Sequence, residues 1–178
     1  MARAKKIFPK GEVLRDGAMS TFITVGNAKQ EFERIFEICF SCNEQLSKPV
    51  VVQHGFTKLN HTFDISCQFM EQPEFVEQIK NAEIVVGHAG AGTIMTALQY
   101  GIKPIVIPRL SKYKEHIDDH QYELARALNN DGKVYMINNE AEMRELLSEN
   151  ESFGYQKTLT GNELVNEIAN DISMLGKL

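Results

Sequence analysis

The stretch IVVGHAGAGTIMTALQYGIKPIVIP, residues 84–108, decides the fold. An apolar run stops at Gly87, a histidine follows among small residues, and an apolar-periodic segment then runs from Thr93 until Gly101 and Pro104 stop it. A second apolar run, Pro104 to Pro108, comes next. Short Val/Ile runs on either side of a helical period read as strand, helix and strand, and runs apolar on both faces belong to a sheet covered on both sides.

The same alternation extends outward. TFITVG (21–26) and PVVVQHG (49–55) read as strands, with a helical segment over 29–46 between them that places Phe32, Ile35, Phe36, Cys39 and Leu46 on one stripe. FDISCQFM gives a third strand, followed by a short helix with Pro73 at its first position. Beyond Pro108, residues 118–130 read as a helix ending near Gly132, KVYMI as a further strand, and EAEMRELLSE as another helix. The pattern predicts a single Rossmann-like α/β domain, a doubly wound parallel sheet of about six strands.

The 178 residues suffice for one such domain over 19–148. Residues 1–18 read as a flexible, locally basic arm without the apolar core of a signal peptide, and 149–178 as a linker and an amphipathic helix. A net charge of −5 disfavours nucleic acid as a partner. No stretch reaches the ~20 apolar residues that span a bilayer. Three cysteines, Cys39, Cys42 and Cys67, without a secretory signal fit a reducing cytoplasm. Cys39 and Cys42 have the spacing of a redox pair, but Cys39 falls on the apolar stripe of a helix, which favours buried thiols.

Doubly wound domains bind ligands beyond the carboxyl ends of their strands. Those positions hold Gly26 and Asn27, then Gln53 to Gly55, then the turn His88, Ala89, Gly90, Ala91, Gly92 and Thr93, and finally Arg109 onward. Without large side chains at the turn, the first helical N–H groups can meet an anion directly, and the helix dipole favours one. A turn whose glycines serve packing alone is the alternative. A Walker loop would need Gly-Lys-Ser/Thr, which does not follow this turn, and a dinucleotide fingerprint a third glycine and an acidic residue about 20 residues on, where the chain has Met95 and then Pro108, Arg109 and Leu110.

Arg109 reads either as a donor to an anion or as a solvated surface arginine. His88 is a candidate general base, with a structural histidine as the alternative. Glu115, His116, Asp118, Asp119 and His120 cluster in sequence: His116 and His120 would share a face on a helix and bind a metal, or Asp119 would cap that helix instead. No third ligand stands at a characteristic spacing, so neither a metal nor a cofactor is expected.

Four ordered motifs, TFITVGN, VVGHAGAGTIMTAL, GIKPIVIPRL and YKEHIDDHQYELA, resemble the C-terminal, donor-binding half of GT-B glycosyltransferases of the family 28 type. The likeness runs from about Thr21 to Leu128 and is strongest to the small subunits of two-component enzymes, such as the dolichol-pathway N-acetylglucosaminyltransferase and its bacterial exopolysaccharide and capsule relatives. It implies a UDP-sugar site in which the loops Thr24–Asn27 and His88–Thr93 enclose the diphosphate. It also implies that the segment Glu115 to Gln121 reaches the sugar, with Gln121 at a position that bonds sugar hydroxyls. Thr96 departs from the pattern, since relatives often carry a glutamate there against the ribose.

The resemblance further implies a membrane-anchored partner subunit that binds a lipid-linked acceptor and brings the general base. Leu164, Val165, Ile168, Ile172 and Leu175 form the apolar stripe of a C-terminal helix that would pack on its own domain or dock on that partner. The expected function is thus a cytoplasmic donor-binding catalytic subunit of an inverting glycosyltransferase, held at a membrane by its partner. A noncatalytic nucleotide-sugar-binding regulatory or scaffold module is the alternative, and a stand-alone hydrolase or epimerase a third reading.

Overall fold

The computed structural model describes residues 20–149. The arm expected over 1–18 and the C-terminal helix lie outside them. The strands are β1 (Thr21–Thr24), β2 (Val50–Gln53), β3 (Ile65–Cys67), β4 (Ile84–Gly87), β5 (Ile105–Val106) and β6 (Tyr135–Met136). The helices are α1 (Glu33–Ser41), α2 (Gln72–Asn81), α3 (Ala91–Gln99), α4 (His120–Asn130) and α5 (Glu140–Glu149), with a 3-10 turn at Ser111–Tyr113. All strand pairings are parallel, in the order β3-β2-β1-β4-β5-β6.

Strand alternation divides the core. Ile23 on β1, Val25 just after it, and Ile84 and Val86 on β4 face α1 and α5, joined there by Ile35, Phe36, Cys39 and Met143. Phe22 and Val85 point the other way, with Ile79 and Ala97 from α2 and α3, and Ile94, Ala125 and Leu128 continue that layer under α3 and α4. Buried on both faces, the strands need apolar residues at successive positions, and this made them legible as continuous runs.

The first helix is shorter than its periodicity predicts. It starts after Phe32, whose N–H is taken by the buried Thr57 hydroxyl at 2.9 Å, and it ends at Ser41 in successive tight turns. Phe32 and Leu46 are nevertheless buried, because the apolar stripe continues through the turns that flank the helix. α3 starts at Ala91, two residues ahead of the sequence reading, so that Ala91, Gly92 and Thr93 are its first turn.

The chain crosses from one side of the sheet to the other between β1 and β4. The loops after these neighbouring strands therefore diverge and leave a crevice at their carboxyl ends, which is the topological switch point of this strand order.

Candidate functional site

At this switch point lies a cleft of about 260 Å³, bordered by Gly26, Asn27, Gln53, Gln72, Thr93 and Thr96, together with Met70, Phe75 and Gly92. The loop after β1 forms one wall and the first turn of α3 another.

The bare turn has two kinds of glycine. A Cβ on Gly90 would fall 2.3 Å from His88 Nε2, and one on Gly26 would fall 2.6 Å from His88 Cε1. These two glycines make room for an imidazole of the same chain, as the packing alternative requires. Gly92 differs, because a Cβ there would meet nothing within 4 Å. Its bareness has no packing cause among the described residues, and it lines the cleft. The turn reaches α3 through Ala89 in the left-handed region (φ 63°) and Gly90 as N-cap, with no side chain bonded to the cap. The first intrahelical bond is donated by Ile94 to Gly90, so the N–H groups of Ala91, Gly92 and Thr93 have no partner within the helix.

His88 sits between the two glycine loops. Burial, reinforced by the nearby charge of Arg109, pulls its pKa down to about 4, while a hydrogen bond with the Thr24 backbone opposes the shift. Its Nδ1 is buried without a partner. The imidazole is therefore neutral at neutral pH but a weak proton acceptor, and it does not suit the role of a general base working there.

Thr24 is fully buried, and its hydroxyl is spent within the chain. It donates to Gln53 Oε1 at 2.6 Å and accepts the Gly26 N–H at 3.2 Å. Direct contact of this hydroxyl with a ligand gives way to a bracing role.

Arg109 is neither a surface arginine nor a free anion donor. It is 0% exposed, its guanidinium donates to the carbonyls of Gln30, Glu115 and Val25, and it stacks on the Phe32 ring at 4.8 Å. Burial lowers its pKa to about 10 against the opposing pull of Glu115. Glu115 is buried too: Arg34 binds its carboxylate in bidentate fashion at 2.9 and 2.8 Å, and the Leu110 N–H adds a third bond at 3.0 Å. These residues tie the loop after β1 to the loop after β5, and so fix the rim of the cleft instead of entering it. Arg34 lay outside the sequence reading because its partner is 81 residues away.

His116 and His120 do not share a helix face, since α4 begins only at His120. Each instead lies beside Asp118, His116 Nδ1 at 3.0 Å and His120 Nε2 at 3.9 Å. Asp119 holds the N-cap position, but its carboxylate accepts from the Ser111 N–H and hydroxyl, and these bonds lower its pKa. Gln121, in the first turn of α4, receives the Arg109 N–H at 3.4 Å. The structure thus brings Gly26, Asn27, Gly92 and Thr93 to one cleft and leaves Glu115, Asp119 and Arg109 in its scaffold. Gln53, one of the strand-end positions, borders the cleft too, as does Thr96, whose hydroxyl is bonded back to the Gly92 carbonyl at 2.8 Å; the structure adds Met70, Gln72 and Phe75. The sequence reading took Met70 as the end of the third strand, which stops at Cys67, and Gln72 and Phe75 reach the cleft only through the placement of α2.

The glycosyltransferase family 28 C-terminal domain matches residues 20–152. The human UDP-N-acetylglucosamine transferase subunit ALG13 is 31% identical over 91 residues, which cover 51% of this chain and 7% of the human protein. The chain therefore matches only a small part of this relative's length. Among solved structures, the glycosyltransferase SnogD from Streptomyces nogalater superposes with a TM-score of 0.56 at 16% identity, over 98% of this chain and 45% of that one. The solution structure of ALG13 gives 0.54 at 14% identity, over 83% of this chain and 94% of that one. At such identities the structural likeness speaks for the fold alone, half of a GT-B architecture.

Proposed function

The chain belongs to the glycosyltransferase family 28 C-terminal domain family, and from that membership we propose that it is the donor-binding subunit of an inverting, UDP-sugar-dependent glycosyltransferase. UDP-N-acetylglucosamine is the donor suggested by the names of its relatives. In this reading a membrane-anchored partner supplies a lipid-linked acceptor at the cytoplasmic face, and transfer takes place between the two subunits.

The uncapped first turn of α3, with Gly92 open at the switch point, carries the proposal. Transfer from a nucleotide sugar builds negative charge on the departing diphosphate. The N–H groups of Ala91 to Thr93, the positive end of the α3 dipole and the Thr93 hydroxyl are the donors that would meet that charge. Gly26 and Asn27 close the opposite wall. The family resemblance gives Gln121, on the first turn of α4, the sugar hydroxyls as partners. His88 remains neutral and holds the two glycine loops apart, while proton removal from the acceptor falls to the partner, since a group with a pKa of about 4 is poorly matched to that step at neutral pH.

The test is transfer of labelled N-acetylglucosamine from UDP-N-acetylglucosamine to a polyprenyl-linked acceptor, by the chain alone and co-expressed with its partner. Activity only in the pair, together with UDP binding by calorimetry, is the expected result. Absence of UDP binding in both preparations would sink the proposal. The weakness of His88 as a base favours a second reading, a binding module without catalysis. Thr93→Val separates the two: transfer by the pair collapses if this chain is catalytic and persists if it is not.

A further inference from the structure

Gln53 ends β2 and is only 3% exposed, yet it borders the cleft. Its orientation is determined from within the chain. The Thr24 hydroxyl accepts the Gly26 N–H, and its own proton needs an acceptor in a buried place; Gln53 Oε1, at 2.6 Å, is that acceptor. Turning the amide over would set a nitrogen against the hydroxyl and leave the proton unpaired, at the cost of an unsatisfied buried donor. The carboxamide oxygen thus faces Thr24, and the NH₂ group, which finds no partner among the described residues, is left for the cleft.

Strand order indicates which part of a ligand it meets. The α3 N-terminus follows β4, β1 lies beside it, and β2 lies one strand farther out, toward β3. The cleft wall also includes Met70, in the loop after β3, and Phe75 of α2, whose ring packs edge-on to Phe22 of β1 at 5.6 Å, a thioether and an aromatic ring. Such a wall suits the flat face of a base more than a diphosphate.

We propose that Gln53 is a specificity residue of the donor site: its carboxamide NH₂, aimed by Thr24, donates a hydrogen bond to a carbonyl oxygen of the nucleobase. The inference rests on the nucleotide-sugar reading above and extends it to the base. No diphosphate oxygen is involved, so the effect on binding divides along the length of the nucleotide.

The test compares the affinities of UDP, UMP and inorganic pyrophosphate for the full chain, by calorimetry or by NMR titration. Gln53→Glu keeps an acceptor for Thr24 but replaces the donor, and Gln53→Met removes it at similar volume; a thermal melt checks that each variant is folded. Both variants are expected to weaken UDP and UMP by a similar factor, roughly tenfold for one lost hydrogen bond, and to leave pyrophosphate unchanged. Thr24→Val is expected to weaken UDP while Thr24→Ser restores it, since only the serine can aim the amide. Loss of pyrophosphate binding in parallel, or unchanged UDP affinity in folded Gln53 variants, would overturn the assignment. Failure of the wild-type chain to bind UDP at all would instead overturn the donor-site reading, and this one with it.

Discussion

The His88 ring fills the space that a side chain on Gly90 would need, with Nε2 2.3 Å from where that Cβ would stand. Two residues along, a Cβ on Gly92 would touch nothing. Neighbouring glycines in one turn therefore answer to different demands, one to the protein's own packing and one to whatever occupies the cleft.

Alanine substitution separates these demands. Gly90 has an ordinary φ of −73°, so Gly90→Ala acts through collision alone. It should push His88 aside and cost about 1–3 kcal/mol of stability, seen as a lower melting temperature. Gly92→Ala should leave the melting temperature unchanged or slightly raised, because alanine favours the helix, while UDP affinity falls roughly tenfold. Undiminished UDP binding by Gly92→Ala would remove the cleft's claim on that glycine.

His88 gives the domain a pH dependence of definite sign. Its folded pKa of about 4 lies below the ordinary value of 6.5, mainly because burial penalises the charged ring. Above pH 6.5 the group is neutral in both states and contributes no pH dependence. As pH falls from 6.5 toward 4, the unfolded chain takes up a proton that the folded chain resists. Stability drops over that window by roughly 3 kcal/mol from this group and levels off below it. Urea unfolding at pH 7 and pH 4.5 should show a smaller difference for His88→Asn than for the wild type; equal differences would refute the assignment.

Arg109→Met should be among the most damaging single changes. It leaves the carbonyls of Gln30, Glu115 and Val25 buried without their donor and the Glu115–Arg34 pair without its neighbour. A loss of roughly 3–5 kcal/mol is expected in urea titration. Arg109→Lys should recover little, because one ammonium on a flexible stem cannot serve three fixed carbonyls as a planar guanidinium does. A fully stable Arg109→Met would show that the clasp is dispensable.

The thiols should be silent in the native state. All three cysteines are free and buried. Burial drives the Cys39 thiol far above the usual range, with Cys42 adding to the effect, and raises Cys67 to about 11, with Glu74 adding. Ellman's reagent at pH 8 is expected to label none of them until urea is added, and then all three. Rapid native labelling would indicate an open route to the core beneath α1.

The six strands, their parallel arrangement and the turn at residues 87–93 were legible in the chain. Buried strands need unbroken apolar runs, and a helix entered through a glycine turn leaves a local imprint. The end of α1 was misjudged because its apolar stripe continues through the turns beyond Ser41, and periodicity does not register the change of backbone hydrogen bonding. The placement of His116 and His120 on one helical face failed for a related reason: Asp118 and Asp119 hold the preceding segment in local bonds, and α4 starts only at His120.

Family membership, the glycine turn and the search at strand ends follow from the sequence by itself, since each depends on residues close together in the chain. The tertiary structure alone decided what each polar side chain is for. Thr24 meets Gln53 across 29 residues, Arg34 meets Glu115 across 81, and Arg109 reaches Val25 across 84. Buried hydrogen-bonding groups must find partners wherever the fold brings them. For that reason the arginine and glutamate that looked like ligand contacts became scaffold, and the strand-end glutamine Gln53 was left facing the cleft.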